Sequence, residues 1–247
     1  MEAESSPEVQ NSVCETCGCS ADQHPGCESC LPARPWEIRA AWVLRALLLV
    51  TATAFIAQEA WLYAIFCVTS VLLVGLPAYL ARTSKANLPV ELELILLWFL
   101  VADNTLGRLV ALYGTPWFDK TLHLGNSVFI GFIGFLVAYV LLYTERLRTS
   151  PLFTGAVILL ATSGIGALWE IVEYVLDLML HRSAQGSPIM TPLDDTMWDL
   201  ILDGAGGALG AIFGPLYIRH SNRSRCRFAA FAHYISLRKV ESPPGAA

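Results

Sequence analysis

Long apolar runs separated by short polar breaks dominate this chain. Six of them, at residues 40–57, 60–81, 90–113, 125–144, 152–180 and 196–218, are long enough to cross a bilayer core as helices, because roughly 20 residues at 1.5 Å rise suffice. The breaks at Gln58-Glu59 and Glu145-Arg146 are short. They predict antiparallel neighbours between the first and second runs and between the fourth and fifth. The pattern therefore predicts an all-α fold, a polytopic helical membrane bundle of about six spans. The fifth run is acidic at its C-terminal end, so its last turns are expected to project beyond the hydrocarbon.

Polar residues inside these runs recur at helical spacing. Asp195, Asp199 and Asp203 fall at i, i+4 and i+8, on one helix face. Glu170, Glu173 and Asp177 fall at i, i+3 and i+7, and Asp119 and His123 at i and i+4. An ionised side chain in hydrocarbon costs roughly 2.5–3.5 kcal/mol on insertion scales, so such groups turn inward and find partners. In a six-span topology the third to sixth runs carry Asp103, Asn104, Arg108, His123, Asn126, Glu170, Glu173, Asp199 and Asp203 to a similar depth on one side. Gly206, Gly210 and Gly214 form a GxxxGxxxG stripe in the sixth run, which predicts close approach of a neighbouring helix.

Composition agrees with a membrane protein. Of 247 residues, 55% are hydrophobic and 15% charged, against about 25% charged in a soluble domain. Arg34, Arg39, Arg82, Lys85, Arg146, Arg148, Arg219, Arg223, Arg225, Arg227, Arg238 and Lys239 fall on one side of the six spans, whereas Lys120 and Arg182 fall on the other. The positive-inside rule then places both termini in the cytoplasm, and the loops carrying Asp119 and Asp195 outside. Residues 1–35 are polar and Cys-rich, 36–220 form the membrane domain, and 221–247 form a basic tail. The first thirty residues lack the basic start and apolar core of a signal peptide.

Carboxylates from facing helices joined by one imidazole are a ligand set for a divalent ion, with identity left open among magnesium, calcium, manganese, zinc and iron. The candidate ligands are Asp119, Glu170, Asp195, Asp199 and Asp203, and the candidate proton-transfer residues are His123 and Glu173. Asp194 reads as a helix cap. The alternative is a satisfied polar network in which Arg108 pairs with Asp203 or Glu170 and merely holds helices together. Cys14, Cys17, Cys27 and Cys30 form two C-x2-C knuckles, a candidate zinc site. A disordered, redox-reactive tail is the other reading. Cys67 lies mid-span and reads as a small core residue. Phe228, Phe231 and Ile235, flanked by arginines, read as an amphipathic segment on anionic lipid. Membrane lipids are the expected partners, and nucleic acid is not.

Four pieces occur in a fixed order: Asp119-Lys120-x-x-His123, Ala167-Leu168-Trp169-Glu170-Ile171-x-Glu173, Gln185-Gly186, and Asp195-x3-Asp199-x3-Asp203-Gly204-Ala205. Over residues 90–218 they resemble the YjdF-like bacterial inner-membrane proteins and, more distantly, the VanZ-like family. The resemblance implies an all-helical domain in a bacterial inner membrane. The family's Gln-Gly pair is commonly followed by an acidic residue, whereas this chain has Ser187. The Cys-rich extension lies outside the family pattern. The functional expectation is an outward-facing polar site for metal-dependent hydrolysis or transfer on a lipid or cell-envelope substrate. The competing expectations are a proton- or cation-coupled transporter and a non-catalytic structural subunit.

Overall fold

A computed structural model describes residues 33–83, 90–115, 117–143, 148–180, 185–186, 190–220 and 227–228. The five cysteines between positions 14 and 30, and Phe231 and Ile235, lie outside them. The described chain is a helical bundle of α1 (Pro35–Ala57), α2 (Trp61–Thr83), α3 (Val90–Val101), α4 (Phe118–Tyr143), α5 (Pro151–Leu180) and α6 (Pro192–His220). Among the described residues, α1, α4, α5 and α6 are long and apolar enough to cross a membrane. Large side chains cover the exterior, Leu73, Leu152 and Leu160 among them, with Leu152 85% exposed. A water-soluble monomer rarely shows so continuous an apolar surface, so the bundle is membrane-embedded.

The helices group as two sets of three. Within the first set α1 and α3 run parallel, because Arg45 and then Thr51 meet successively later residues of α3 and its extension, and Glu37 shares Arg227 with Glu91 near the start of α3. Arg45 donates to Glu93, with both side chains buried, and the Thr51 and Thr105 hydroxyls meet at 2.8 Å. Ala41, Leu48, Val74, Leu97 and Val101 form the core of this set. Cys67 is fully buried with Ala52, Phe55 and Ala64, as its mid-span position predicts.

Within the second set α4 and α6 also run parallel, and glycine brings them together. A Cβ on Gly206 would meet Leu124 O at 2.7 Å, one on Gly210 would meet Gly131 Cα at 2.8 Å, and one on Gly214 would meet Phe135 Cγ at 2.7 Å. The stripe thus serves close approach inside the bundle. The antiparallel α5 brings the late residue Glu170 beside the early residues of α4 and α6. Phe99 against Phe129 and Tyr113 against Phe118 join the two sets.

Three expectations change. The third run is not one regular helix: after Val101 it widens into a π-helix, Ala102–Leu109, and then breaks at Ala111, whose φ is +64°. In an α-helix residues i and i+5 stand about 140° apart, but the wider turn puts Asp103 and Arg108 side by side, paired at 3.1 Å. Asp119 and Asp195 are helical, in the first turns of α4 and α6. Finally, Arg227 and Phe228 are buried. Arg227 pairs with Glu37 of α1 and Glu91 of α3, and Phe228 packs with Leu136 and Ile218. This part of the tail closes the end of the bundle rather than lying on lipid.

Candidate functional site

The starts of α4 and α6 and the late turns of α5 build one acidic cluster. Thr191 caps α6: its hydroxyl oxygen accepts the Asp194 N–H at 3.2 Å and donates to the Asp194 carboxylate at 2.7 Å. Asp194 is therefore the partner of the cap, not the cap itself. The following turns aim Asp195, Asp199 and Asp203 at α4. Their residues are 6%, 1% and 2% exposed.

Two cationic or cation-ready groups of α4 receive these acids. The first is Lys120, whose side chain is 4% exposed. Its Nζ donates to Asp195 Oδ1 at 2.6 Å, Asp199 Oδ2 at 2.7 Å and Asp119 Oδ2 at 3.1 Å. An ammonium has three protons to give, and three carboxylates take them. The second is His123, one turn further along. Its Nδ1 lies 3.4 Å from Asp203 Oδ1, which also accepts the Ser127 hydroxyl at 2.5 Å. Its Nε2 faces Asp119 Oδ1 at 3.9 Å, Asp199 Oδ1 at 3.9 Å and Glu170 Oε1 at 3.8 Å.

Those last distances are too long for hydrogen bonds. Asp199 Oδ1, Glu170 Oε1 and Asp203 Oδ2 are buried without a hydrogen-bond partner among the described residues. Buried carboxylate oxygens are normally satisfied by hydrogen bonds, whereas Asp199 Oδ1 and Glu170 Oε1 face only the more distant His123 Nε2. One ligand atom from each of Asp119, His123 and Asp199 lies within 4.8 Å of the others, and Glu170 stands beside that trio. Ligand atoms 3.8–3.9 Å apart subtend roughly 120° at an ion about 2.2 Å from each, a distance common for metal–oxygen and metal–nitrogen bonds.

The remaining candidates support this arrangement or stand at its edge. Asp195 has both oxygens engaged, since Oδ2 accepts the Gly186 N–H at 2.8 Å. Asp203 presses Oδ2 into the notch of Gly166, where an added Cβ would come within 2.6 Å of the Asp203 Cγ. It therefore orients His123 more naturally than it ligates. Glu173 is half-buried and accepts the Trp169 indole N–H at 3.0 Å; no hydrogen bond or ion pair joins it to the cluster. Arg108 pairs with Asp103, not with Asp203 or Glu170, and lies over the Tyr63 and Tyr113 rings at 5.2 and 5.4 Å.

Lys120, Ser127 and Gln185-Gly186 are the functional neighbours that spacing alone did not assign. The Gln185 side-chain amide donates to the Glu170 carbonyl at 3.2 Å and to Thr196 Oγ1 at 3.1 Å, tying α5 to α6. Its backbone N–H donates to Asp177 at 2.9 Å. Gly186 holds φ at +93°, a conformation that suits glycine, and this delivers its N–H to Asp195. Gly186 thus serves the site through its backbone N–H.

Neither a curated protein nor a solved structure matches the chain. A family model described as "Predicted membrane protein (DUF2238)" matches residues 38–220, a span that contains every residue of the acidic cluster, and the chain belongs to that family.

Proposed function

We propose that this is a multi-pass protein of a bacterial inner membrane, of the YjdF-like and distantly VanZ-like kind, whose acidic cluster binds one divalent cation. Asp119, His123 and Asp199 are its ligands, and Glu170 stands beside it to complete the set or to take a proton from bound water. The observation that carries the reading is the pair of partnerless buried oxygens, Asp199 Oδ1 and Glu170 Oε1, converging with Asp119 Oδ1 on His123 Nε2. Asp203 on Nδ1 is the carboxylate–histidine support common at metal-ligating imidazoles.

A cation held there supplies a Lewis acid and an activated water. Hydrolysis or transfer at a phosphate or ester of an amphiphilic lipid or envelope substrate is the chemistry that fits, with Glu170, and behind it Glu173, as proton acceptors. Transport fits less well. Beyond Asp203 the α4–α6 seam is sealed by glycine contact at Gly207 and Gly210 and by Phe135 against Gly214, leaving no polar route along it among the described residues.

The test is thermal unfolding of the full chain carrying Ser at Cys14, Cys17, Cys27 and Cys30, with chelator and with magnesium, manganese, calcium or zinc. An ion at 100 times its Kd should stabilise the fold by about 2.7 kcal/mol. Asp199→Asn should lose that gain while remaining folded with chelator. Wild-type protein indifferent to every ion refutes the reading. Helix glue alone predicts no ion-dependent gain in either protein, with Asp199→Asn differing from wild type by the same amount in chelator and in every ion.

A further inference from the structure

The cluster has two cation positions, and the protein fills one of them itself. Asp119 and Asp199 are each divided between the two. Asp119 gives Oδ2 to Lys120 and turns Oδ1 to His123, and Asp199 gives Oδ2 to Lys120 and turns Oδ1 to His123. Two carboxylates bridging adjacent positive centres are the arrangement by which paired metal ions about 3.5–4 Å apart are held. Here one of the centres is an ammonium. Asp195 completes it on the far side and is itself pinned by the Gly186 N–H.

We infer that Lys120 occupies the second metal position of a site that would otherwise be dinuclear, and so fixes its capacity at one ion. The inference rests on the proposed cation site and adds to it the role of Lys120. Lys120 is a positioning residue: it touches ligands, not substrate. Its buried ammonium compensates Asp119, Asp195 and Asp199 where an exchangeable ion would otherwise be needed, and it keeps the outer oxygens of two ligands aimed at His123.

The experiment uses the full chain with the four knuckle cysteines replaced by Ser, loaded with manganese and washed. Metal content is measured together with the electron paramagnetic resonance spectrum. Wild type should hold one manganese per chain with an uncoupled six-line spectrum. Lys120→Ala and Lys120→Gln should each hold two, with the multiline spectrum of an exchange-coupled pair, and should lose most of their thermal stability in chelator. Lys120→Arg, which keeps the charge, should stay at one.

A wild type that holds no manganese and gains no stability from the other ions removes the cation site and this inference together. A wild type that holds one, with folded Lys120→Ala and Lys120→Gln that also hold one, removes this inference alone. So does a wild type that holds two. Variants that fail to fold even in millimolar manganese also overturn it, because a filled second position should replace the lost charge.

Discussion

Asp203 illustrates how much of the site depends on a residue with no side chain. Its carboxylate reaches His123 and Ser127 only because Gly166 on α5 leaves a notch for it, and a Cβ there would fall 2.9 Å from the Asp203 Cβ and closer still to its carboxylate. Gly166→Ala should therefore cost about 1–3 kcal/mol of stability as an overpacked contact. By releasing the support of His123 it should also weaken divalent-ion binding about 10–100-fold. Calorimetric titration and thermal unfolding of the same samples separate the two effects, and an unchanged affinity would mean that Asp203 does not orient the imidazole. Spacing in the sequence placed Asp195, Asp199 and Asp203 on one helix face and Asp119 with His123 on another, because helical periodicity is a property of single segments. It did not identify Lys120, which in a supposed loop reads as one solvated charge. The available signal was its position three residues before His123, on the same helix face once α4 begins at Phe118.

Between elements, two unlike devices hold parallel pairs of helices. The α4–α6 seam is a backbone contact, so nothing at its narrowest point can rotate away. Gly210→Ala would meet Val128 O at 2.5 Å and Phe132 N at 2.8 Å, and should cost at least about 1–3 kcal/mol. Gly155→Ala on α5, with nothing within 4 Å, should be neutral or stabilising by up to about 1 kcal/mol. Unfolding of both variants in one detergent makes the comparison, and equal effects would rule out seam packing as the reason for the stripe. The α1–α3 pair relies instead on the buried ion pair of Arg45 with Glu93. Arg45→Met should destabilise by up to about 3–5 kcal/mol, since it takes one partner from a buried ion pair, and an unchanged unfolding temperature would show that the pair does not hold these helices. The existence and order of the helices were legible from the apolar runs. The π-helix after Val101 was not, because a reading built on a 3.6-residue period cannot show where the period changes.

Across the whole molecule the two ends differ in kind. Trp61, Trp117, Trp169 and Trp198 are exposed toward the end that carries the acidic cluster, and Trp36 and Trp42 are exposed near the start of α1 at the other end. Exposed tryptophans are enriched at both membrane–water interfaces, so they suit a membrane bundle at either end. The end opposite the cluster carries Glu37, Glu91 and Arg227, together with the arginines near the start of α1 and the end of α6. The basic bias is sharper in the fold than in the sequence, because Lys120 is buried against three carboxylates and does not act as a loop charge. Of the two basic residues assigned to the outer loops, only Arg182 then remains to be weighed against the basic residues of the other end. The positive-inside rule counts such loop charges, so the cluster should face outward and both termini the cytoplasm. In a chain with its native cysteines replaced by Ala, Thr115→Cys, exposed between α3 and α4, should react with a membrane-impermeant maleimide in intact cells. A cysteine added after Ala247 should react only after the membrane is permeabilised. The reverse pattern would turn the site to the cytoplasm and exclude an envelope substrate. Labelling at both positions in intact cells would break the six-span topology itself.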